Sequence, residues 1–267
     1  MKVEGKCVVV TGAAGGIGAA LARRFAGEGA RGIVVSDRDA HGIETVARGI
    51  TADTGASAIA VPCDVTRESQ LQSLVDTAEA RFGPIDLFCS NAGVISLGGA
   101  DASDHDWQLS LDVNVMAHVY AARILVPRMV ERGEGYLLQT ASAAGLLTQL
   151  GSAPYSVTKH AALALAEWLS ITYGDQGLKV SVLAPQAVRT AMTAGVVDGG
   201  VAGVDGMLEP DVVAEAVVAG LDAESFLILP HPQVLEYFQR KASDYERWLR
   251  GMRRLQTQFG GAGEPTA

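Results

Sequence analysis

The sequence predicts an α/β fold: a single doubly wound parallel sheet with helices on both faces, followed by an extra C-terminal helix. Three observations point there. Short β-branched runs alternate with longer stretches of helical period along the 267 residues. The runs are mostly apolar without a strict polar alternation, as strands covered on both faces tend to be. A glycine-rich turn, "TGAAGGIG", joins the first run to the first helical stretch, and an aspartate closes the second run.

Taken in order, the strand candidates are "CVVVT" (7–11), "GIVVSD" (32–37), "AIAVPCD" (58–64), "IDLFCSN" (85–91), "GYLLQTAS" (135–142), "LKVSVLAP" (178–185) and "SFLILP" (225–230). Helical stretches separate them, so ligands are expected at the carboxyl ends of the strands. One long helix is predicted from about Trp107 to Arg132, bent at Pro127, which lacks a backbone donor. A second starts near Pro154, carries "YSVTKHAALALAEWLSITYG" and is ended by Gly174 and Gly177. "TAGVVDGGVAGVDG" (193–206) is rich in glycine and has no period, so a flexible lid is expected at about residues 191–208. The helix after it opens at "EPDVVAEAVVAGL", with proline in its first turn. From 233 to 259 the apolar residues Leu235, Phe238, Tyr245, Trp248, Leu249, Met252, Leu255 and Phe259 recur at helical spacing, while Arg247, Arg250, Arg253 and Arg254 occupy the remaining surface. One amphipathic helix is expected here. A basic helix of this kind can lie on an anionic membrane, but packing on its own domain or on a partner subunit is the preferred reading. Residues 260–267 are expected to be a disordered tail.

Composition excludes several classes. The formal charge of −9 argues against nucleic acid, which needs concentrated positive charge. Cys7, Cys63 and Cys89 are odd in number and lie in or just after strand runs, so buried thiols are expected rather than a disulfide framework. His41, His105, His118, His160 and His231 are scattered without metal-ligand spacing, so no metal is expected and surface or packing roles are the default. His160 follows Lys159 but faces about 100° away around a helix. Trp107 and Trp168 are expected to pack helices. "MKVEGKCVVV" has neither the apolar core nor the cleavage site of a signal peptide, and no apolar run reaches membrane-spanning length, which favours a cytoplasmic location without membrane contact.

The glycine turn lets the backbone come close to a pyrophosphate, and the helix behind it aims free N–H groups at the anion. Asp37 lies at the end of the second strand, where a carboxylate accepts hydrogen bonds from an adenosine ribose. Turn and acid together predict a Rossmann-like dinucleotide site across residues 1–232. NADP carries a phosphate where this carboxylate would sit, and like charges about 4 Å apart repel by roughly 4 kcal/mol at an effective dielectric of 20. Even a third of that favours NAD about tenfold. Arg38 is the counterweight, because an arginine there could grip the phosphate.

At this point the chain resembles the short-chain dehydrogenase/reductase family. "TGAAGGIG" matches its T-G-x-x-x-G-x-G turn, "SNAG" (90–93) its N-N-A-G segment, "YSVTK" (155–159) its Y-x-x-x-K signature, and "CDV" (63–65) its D-V pair. The match extends from about Lys6 to Ala191. The resemblance implies a cofactor site formed by Gly12, Gly16, Ile17, Gly18, Asp37, Arg38, Asp64, Val65, Asn91, Ala92 and Gly93. Tyr155, Lys159, Pro185, Val188 and Thr190 would complete it, with Asp64 on adenine and Val188 and Thr190 on the nicotinamide amide. It also implies that Ser142 holds the substrate oxygen, and that Asn114 holds a water linking Lys159 to solvent. Family members usually pair through their two long helices, so a homodimer or homotetramer is expected.

The chemistry of the residues stands beside this. Tyr155 and Lys159 share one helix face, and a positive charge near a phenol of ordinary pKa about 10 favours its ionised form. Alone, this spacing fits an ordinary amphipathic helix better; with Ser142 and Asn114 in the expected chain order, a general base is predicted. Two positions depart from the family pattern. Ser90 replaces the first asparagine of N-N-A-G, and Gln186 stands in "APQAVRT" where glycine is usual. Gln186 must either point into the cleft or divert the backbone; it is expected to shape the substrate pocket with Ser142, Leu147, Tyr155 and Met192. Apolar Val94, Leu146, Leu147, Met192 and Val196 suggest an apolar or alicyclic substrate. The expected function is NAD-dependent interconversion of a secondary alcohol and a ketone. An NADPH-dependent ketoreductase and a non-catalytic dinucleotide-binding regulator are the alternatives.

Overall fold

A computed structural model of the chain describes residues 1–259; the tail expectation for 260–267 lies outside the described residues. Seven parallel strands form one sheet in the order β3-β2-β1-β4-β5-β6-β7. They are β1 (Cys7–Thr11), β2 (Gly32–Asp37), β3 (Ala58–Pro62), β4 (Leu87–Ser90), β5 (Gly135–Thr140), β6 (Leu178–Leu183) and the two-residue β7 (Leu227–Ile228). Between β1 and β4 the winding reverses, with Val8 beside Ile33 on one side and Leu87 on the other. That reversal opens a crevice at the strands' carboxyl ends.

The sheet has a separate core on each face, which explains why its strands are largely apolar on both faces. One is built from β residues such as Val8, Val10 and Ile33 against helices α1 (Gly16–Gly27), α2 (Ala40–Thr54) and α7 (Pro210–Asp222). The other sets Val9, Phe88 and Leu137 against α3 (Glu68–Phe82), α5 (Ala117–Arg132) and α6 (Ala153–Tyr173). The three cysteines are free and buried, as their strand positions suggest.

The first long helix begins earlier than Trp107 and is not regular. Ser103 caps α4 (Asp104–Leu111), a π-helical turn spans Asp112–Met116, and α5 continues to Arg132 with Pro127 inside it. This run, Asp104–Arg132, is long and apolar enough to cross a membrane by length and composition, contrary to the reading that no segment is; 56% of its most apolar window is buried inside the fold. The second long helix, α6, is capped by Ser152, whose hydroxyl accepts from Tyr155 N at 3.2 Å. It stops at Gly174, and Gly177 takes a left-handed φ of +91°.

The segment expected as a loop contains short 3₁₀ turns at Ala191–Thr193 and within Val197–Gly203, the second stretch kinked where Asp198, Gly199 and Gly200 take positive φ. Ala187 N donates to Ala202 O at 3.0 Å, and Val188 bridges to Leu208, tying the later part of this segment to the residues that follow β6. The C-terminal stretch is two helices rather than one: α8 (Gln233–Ser243) and α9 (Tyr245–Phe259) break at Asp244. Asp244 Oδ1 accepts from Arg247 N at 2.9 Å, capping α9 where a straight helix would have continued.

Candidate active site

A single continuous cavity runs along the carboxyl edge of the sheet, from the glycine turn to α9. At one end the turn between β1 and α1 is shaped by close approach. A Cβ on Gly18 would lie 2.2 Å from Gly12 O, and one on Gly12, at φ +66°, 2.7 Å from Ala92 Cα. The first residue of α1 follows Gly15, which offers no side-chain cap, so the helix's leading N–H groups face the cavity unpartnered by side chains. Gly16, Ile17 and Gly18 line this end. The Asp37 carboxylate stands at its lip, accepting from Ala14 N at 3.3 Å and Asp39 N at 3.1 Å, with Arg38 exposed beside it.

Asp64 is set by a tight local turn, Oδ1 accepting from Thr66 N at 3.0 Å and Thr66 Oγ1 at 2.7 Å, and it lines the cavity with Val65. Asn91 joins three strands: Nδ2 donates to Thr11 O at 3.0 Å, while Oδ1 accepts from Thr140 Oγ1 at 3.1 Å. Ala92 and Gly93 follow it along the floor, and Pro185, Val188 and Thr190 line the opposite wall. The chain thus presents a glycine-walled cradle with free helix N–H groups at one end and the Asp37 carboxylate beside it.

Beyond the cradle, Ser142, Tyr155 and Lys159 meet. Ser142 follows β5; its Oγ accepts from Ala144 N at 3.1 Å and reaches Pro185 O at 3.4 Å. Tyr155 and Lys159 project from the same turn of α6, with Lys159 Nζ 5.5 Å from the Tyr155 ring centroid. Lys159 is 2% exposed, donates to Thr140 O at 2.9 Å, and is pushed by burial down to a pKa of about 8. Lys159 was expected to lower the Tyr155 pKa. Instead burial raises it, and the Ser142 hydroxyl is the neighbour that pulls it down. The lysine's charge is directed at the Thr140 carbonyl, and the low-polarity wall that depresses the amine also disfavours the phenolate.

Asn114 is not on the cavity wall. It is wholly buried in the π-helical turn, with Oδ1 accepting from Val94 N at 2.9 Å and Nδ2 donating to Val94 O at 2.9 Å and Thr158 Oγ1 at 3.1 Å. Its side-chain amide is therefore engaged, and anything Asn114 lends to a proton path must come from its main chain.

Leu147, Gln186 and Met192 line the cavity with Val94 and Val196, whereas Leu146 belongs to the core. Gln186 is among the residues that line the cavity. Its backbone N donates to His231 Nδ1 at 3.2 Å, and its Oε1 has no partner among the described residues. His231 is 2% exposed, and His118 is fully buried with both ring nitrogens unpartnered and its pKa pushed by burial, then by the Lys159 charge, to about 3. These are core histidines. His160 lines the cavity and sits 3.5 Å from Lys241, so its helical angle does not keep it out of the site. Trp168, expected to pack between helices, is 54% exposed.

The sequence reading missed the C-terminal arm as a wall of the site. Lys241 Nζ donates to Leu146 O at 2.6 Å and lies over the rings of Tyr245 (5.7 Å) and Trp248 (4.9 Å). It anchors α8 and α9 to the loop after Ser142. α9 also packs on the 197–203 turn, and Trp248, Met252, Leu255 and Phe259 face the cavity. Helical spacing gave that apolar face; nothing in it could say which cavity the face covers. Among the described residues, no group of three metal-ligating side chains occurs.

Comparisons with known proteins place the chain in a family. Residues 6–199 match the model of the family described as short chain dehydrogenase. A 1-deoxy-11-beta-hydroxypentalenate dehydrogenase of Streptomyces exfoliatus is 39% identical over 236 residues, covering 85% of this chain and 84% of that enzyme. A short chain dehydrogenase/reductase of Burkholderia phymatum, solved in complex with NAD, superposes with a TM-score of 0.84 at 29% identity, covering 92% of this chain and 96% of that one. A 3-ketoacyl-(acyl-carrier-protein) reductase of Brucella melitensis complexed with NADH gives 0.77 at 30% identity, with 85% and 96% covered. With the glycine cradle, the serine and the tyrosine–lysine pair on one cleft and the family model matched over most of the chain, the protein belongs to the short-chain dehydrogenase family, oxidoreductases that act on hydroxyl groups.

Proposed function

We propose that this enzyme interconverts a secondary alcohol and its ketone using NAD(H), with Tyr155 as the general base in oxidation and the general acid in reduction. The observation that carries the reading is the meeting of Ser142, Tyr155 and Lys159 on one wall of the cavity whose other end is the glycine cradle. In oxidation the Tyr155 phenolate takes the substrate's hydroxyl proton, while Ser142 donates a hydrogen bond to that oxygen and holds it in line. The nicotinamide ring, when bound, supplies the two-electron acceptor for the carbon's hydride. Lys159, fixed by the Thr140 carbonyl, provides a donor toward the cofactor's ribose. Asn114 shapes the π-helical turn and, through its main chain, supports a proton path from Lys159.

Asp37 supports NAD over NADP, because its carboxylate occupies the lip where a 2′-phosphate would have to lie. Val94, Leu147, Met192 and Val196 support an apolar substrate skeleton, and the Streptomyces relatives are named for a hydroxylated acid, pentalenate. Separate fluorescence titrations with NADH and NADPH test the cofactor, with NADH expected to bind at least tenfold tighter. A panel of alicyclic secondary alcohols, scored for NADH formation, tests the reaction. Tyr155→Phe should abolish turnover and leave NADH binding intact; near-wild-type turnover by that variant rules out the assigned role.

A further inference from the structure

The substrate end of the cleft is walled by α9, and that helix is charged against the trend of the chain. The protein carries a formal charge of −9, yet residues 245–259 hold four arginines and one glutamate. The arginines fall into two groups. Arg247 and Arg254 line the cavity together with Trp248, Met252 and Leu255, whereas Arg250 and Arg253 do not. Seven residues amount to nearly two full turns, so Arg247 and Arg254 share one helix face about 10 Å apart along the axis, bordering the apolar strip.

Neither has a carboxylate within 4.0 Å among the described residues, while Arg240, which also lines the cavity, is paired with Glu236. Asp244, the nearest acid in sequence, has its Oδ1 committed to the Arg247 backbone N–H at 2.9 Å. The other cavity-lining acids are Asp37 and Asp64, at the glycine end. The arm is held by Lys241, which donates to Leu146 O in the loop after Ser142, and both arginines are solvent-exposed along the cavity that Tyr155 and Ser142 also line. A planar guanidinium with no acid of its own at the mouth of an apolar pocket is suited to an anionic oxygen pair.

We propose that Arg247 and Arg254 form an anion-binding rim, which selects apolar alcohols or ketones bearing a carboxylate or phosphate at the end remote from the reacting carbon. The proposal deepens the alcohol dehydrogenase reading and rests on its assignment of the substrate end, but binding tests it without turnover.

The probes are adamantane-1-carboxylate, its neutral isostere 1-adamantanecarboxamide and 1-adamantylphosphonate, titrated calorimetrically into the full chain with and without NADH. The carboxylate should bind about threefold to tenfold tighter than the amide, between the effect of an exposed ion pair and that of a charge-assisted hydrogen bond. Replacing both residues (Arg247→Gln with Arg254→Gln) should erase that preference by weakening the anions alone. The same charge change at Arg250 and Arg253 should leave it intact. Whichever anion binds tighter identifies the source, carboxylate or phosphate. Equal binding of acid and amide, no binding of either, or a preference that survives the Arg247/Arg254 variant would overturn the proposal. So would a matching loss of NADH affinity in that variant, which would assign the two arginines to the cofactor's phosphates. Failure of the dehydrogenase reading would show separately, as an absence of NADH binding and turnover.

Discussion

At the scale of single residues, the site places two ionisable groups where their charged forms are disfavoured. Tyr155 is raised by burial, so the phenolate needed for oxidation is scarce at neutral pH. Oxidative kcat/KM should climb with pH into the alkaline range and reductive kcat/KM should fall across it; Ser142→Ala, which removes the neighbour that favours ionisation, should displace both limbs to higher pH in a pH–rate profile. Lys159 carries a stability cost. Its pKa is lowered from 10.5 to about 8 in the fold, a difference worth on the order of 3 kcal/mol at pH 7, partly offset by its bond to Thr140 O. The unfolded chain binds the extra proton between those two values, so the penalty is complete below about pH 8 and vanishes as the pH rises through 10.5. Lys159→Met should therefore lose turnover yet match or exceed wild type in urea unfolding at pH 7, with the advantage shrinking toward pH 10. Tyr155, Lys159 and Ser142 were legible because four-residue spacing and a strand-end loop are local facts. The direction of the Tyr155 shift was not, since it depends on walls contributed by distant segments, nor was the engagement of the Asn114 amide by Val94 and Thr158.

At the scale of elements, the glycine turn was readable in detail because its demands are steric. Gly18→Ala would put a methyl 2.2 Å from the Gly12 carbonyl, and backbone cannot swing aside as a side chain could. That variant should cost about 1–3 kcal/mol in denaturant unfolding and lose most of its NADH affinity, because α1 can no longer seat against the turn. An unchanged titration curve would count against the cradle. Other elements were less legible. The π-helical turn at Asp112–Met116 leaves the apolar period nearly intact, so one long helix is all the pattern can suggest. The break at Asp244 is hidden in the same way, since the apolar positions of α8 and α9 continue one amphipathic stripe across it. The 193–206 segment read as loop because glycines carry no period; the Ala187–Ala202 and Val188–Leu208 pairings that hold part of it are long-range in character.

At the scale of the whole molecule, alternating strands and helices were enough to give the doubly wound sheet, because right-handed crossovers leave few ways to arrange them. What such a pattern cannot reveal is which surfaces the finished fold leaves uncovered. One stands out on α6, where Trp168 is 54% and Ile171 84% exposed, on a helix whose other face forms the catalytic wall. Neither residue lines the cavity, and Trp168 meets the edge of Tyr173 at 5.8 Å between ring centroids. Large apolar side chains concentrated on the outer face of a long helix are suited to a self-complementary contact, in which one helix meets its own copy across a two-fold axis. The chain is accordingly expected to elute as a dimer or tetramer. Changing Trp168 and Ile171 together to glutamate would bury like charges in that contact at a cost of several kcal/mol and should yield monomers by light scattering. Since α6 also holds Tyr155 and Lys159, the monomer's NADH affinity shows whether the partner helix stiffens the active site: preserved binding with reduced turnover would place its effect on the alignment of Tyr155 rather than on the cradle. An elution volume that does not move in the double variant would remove this face from the assembly.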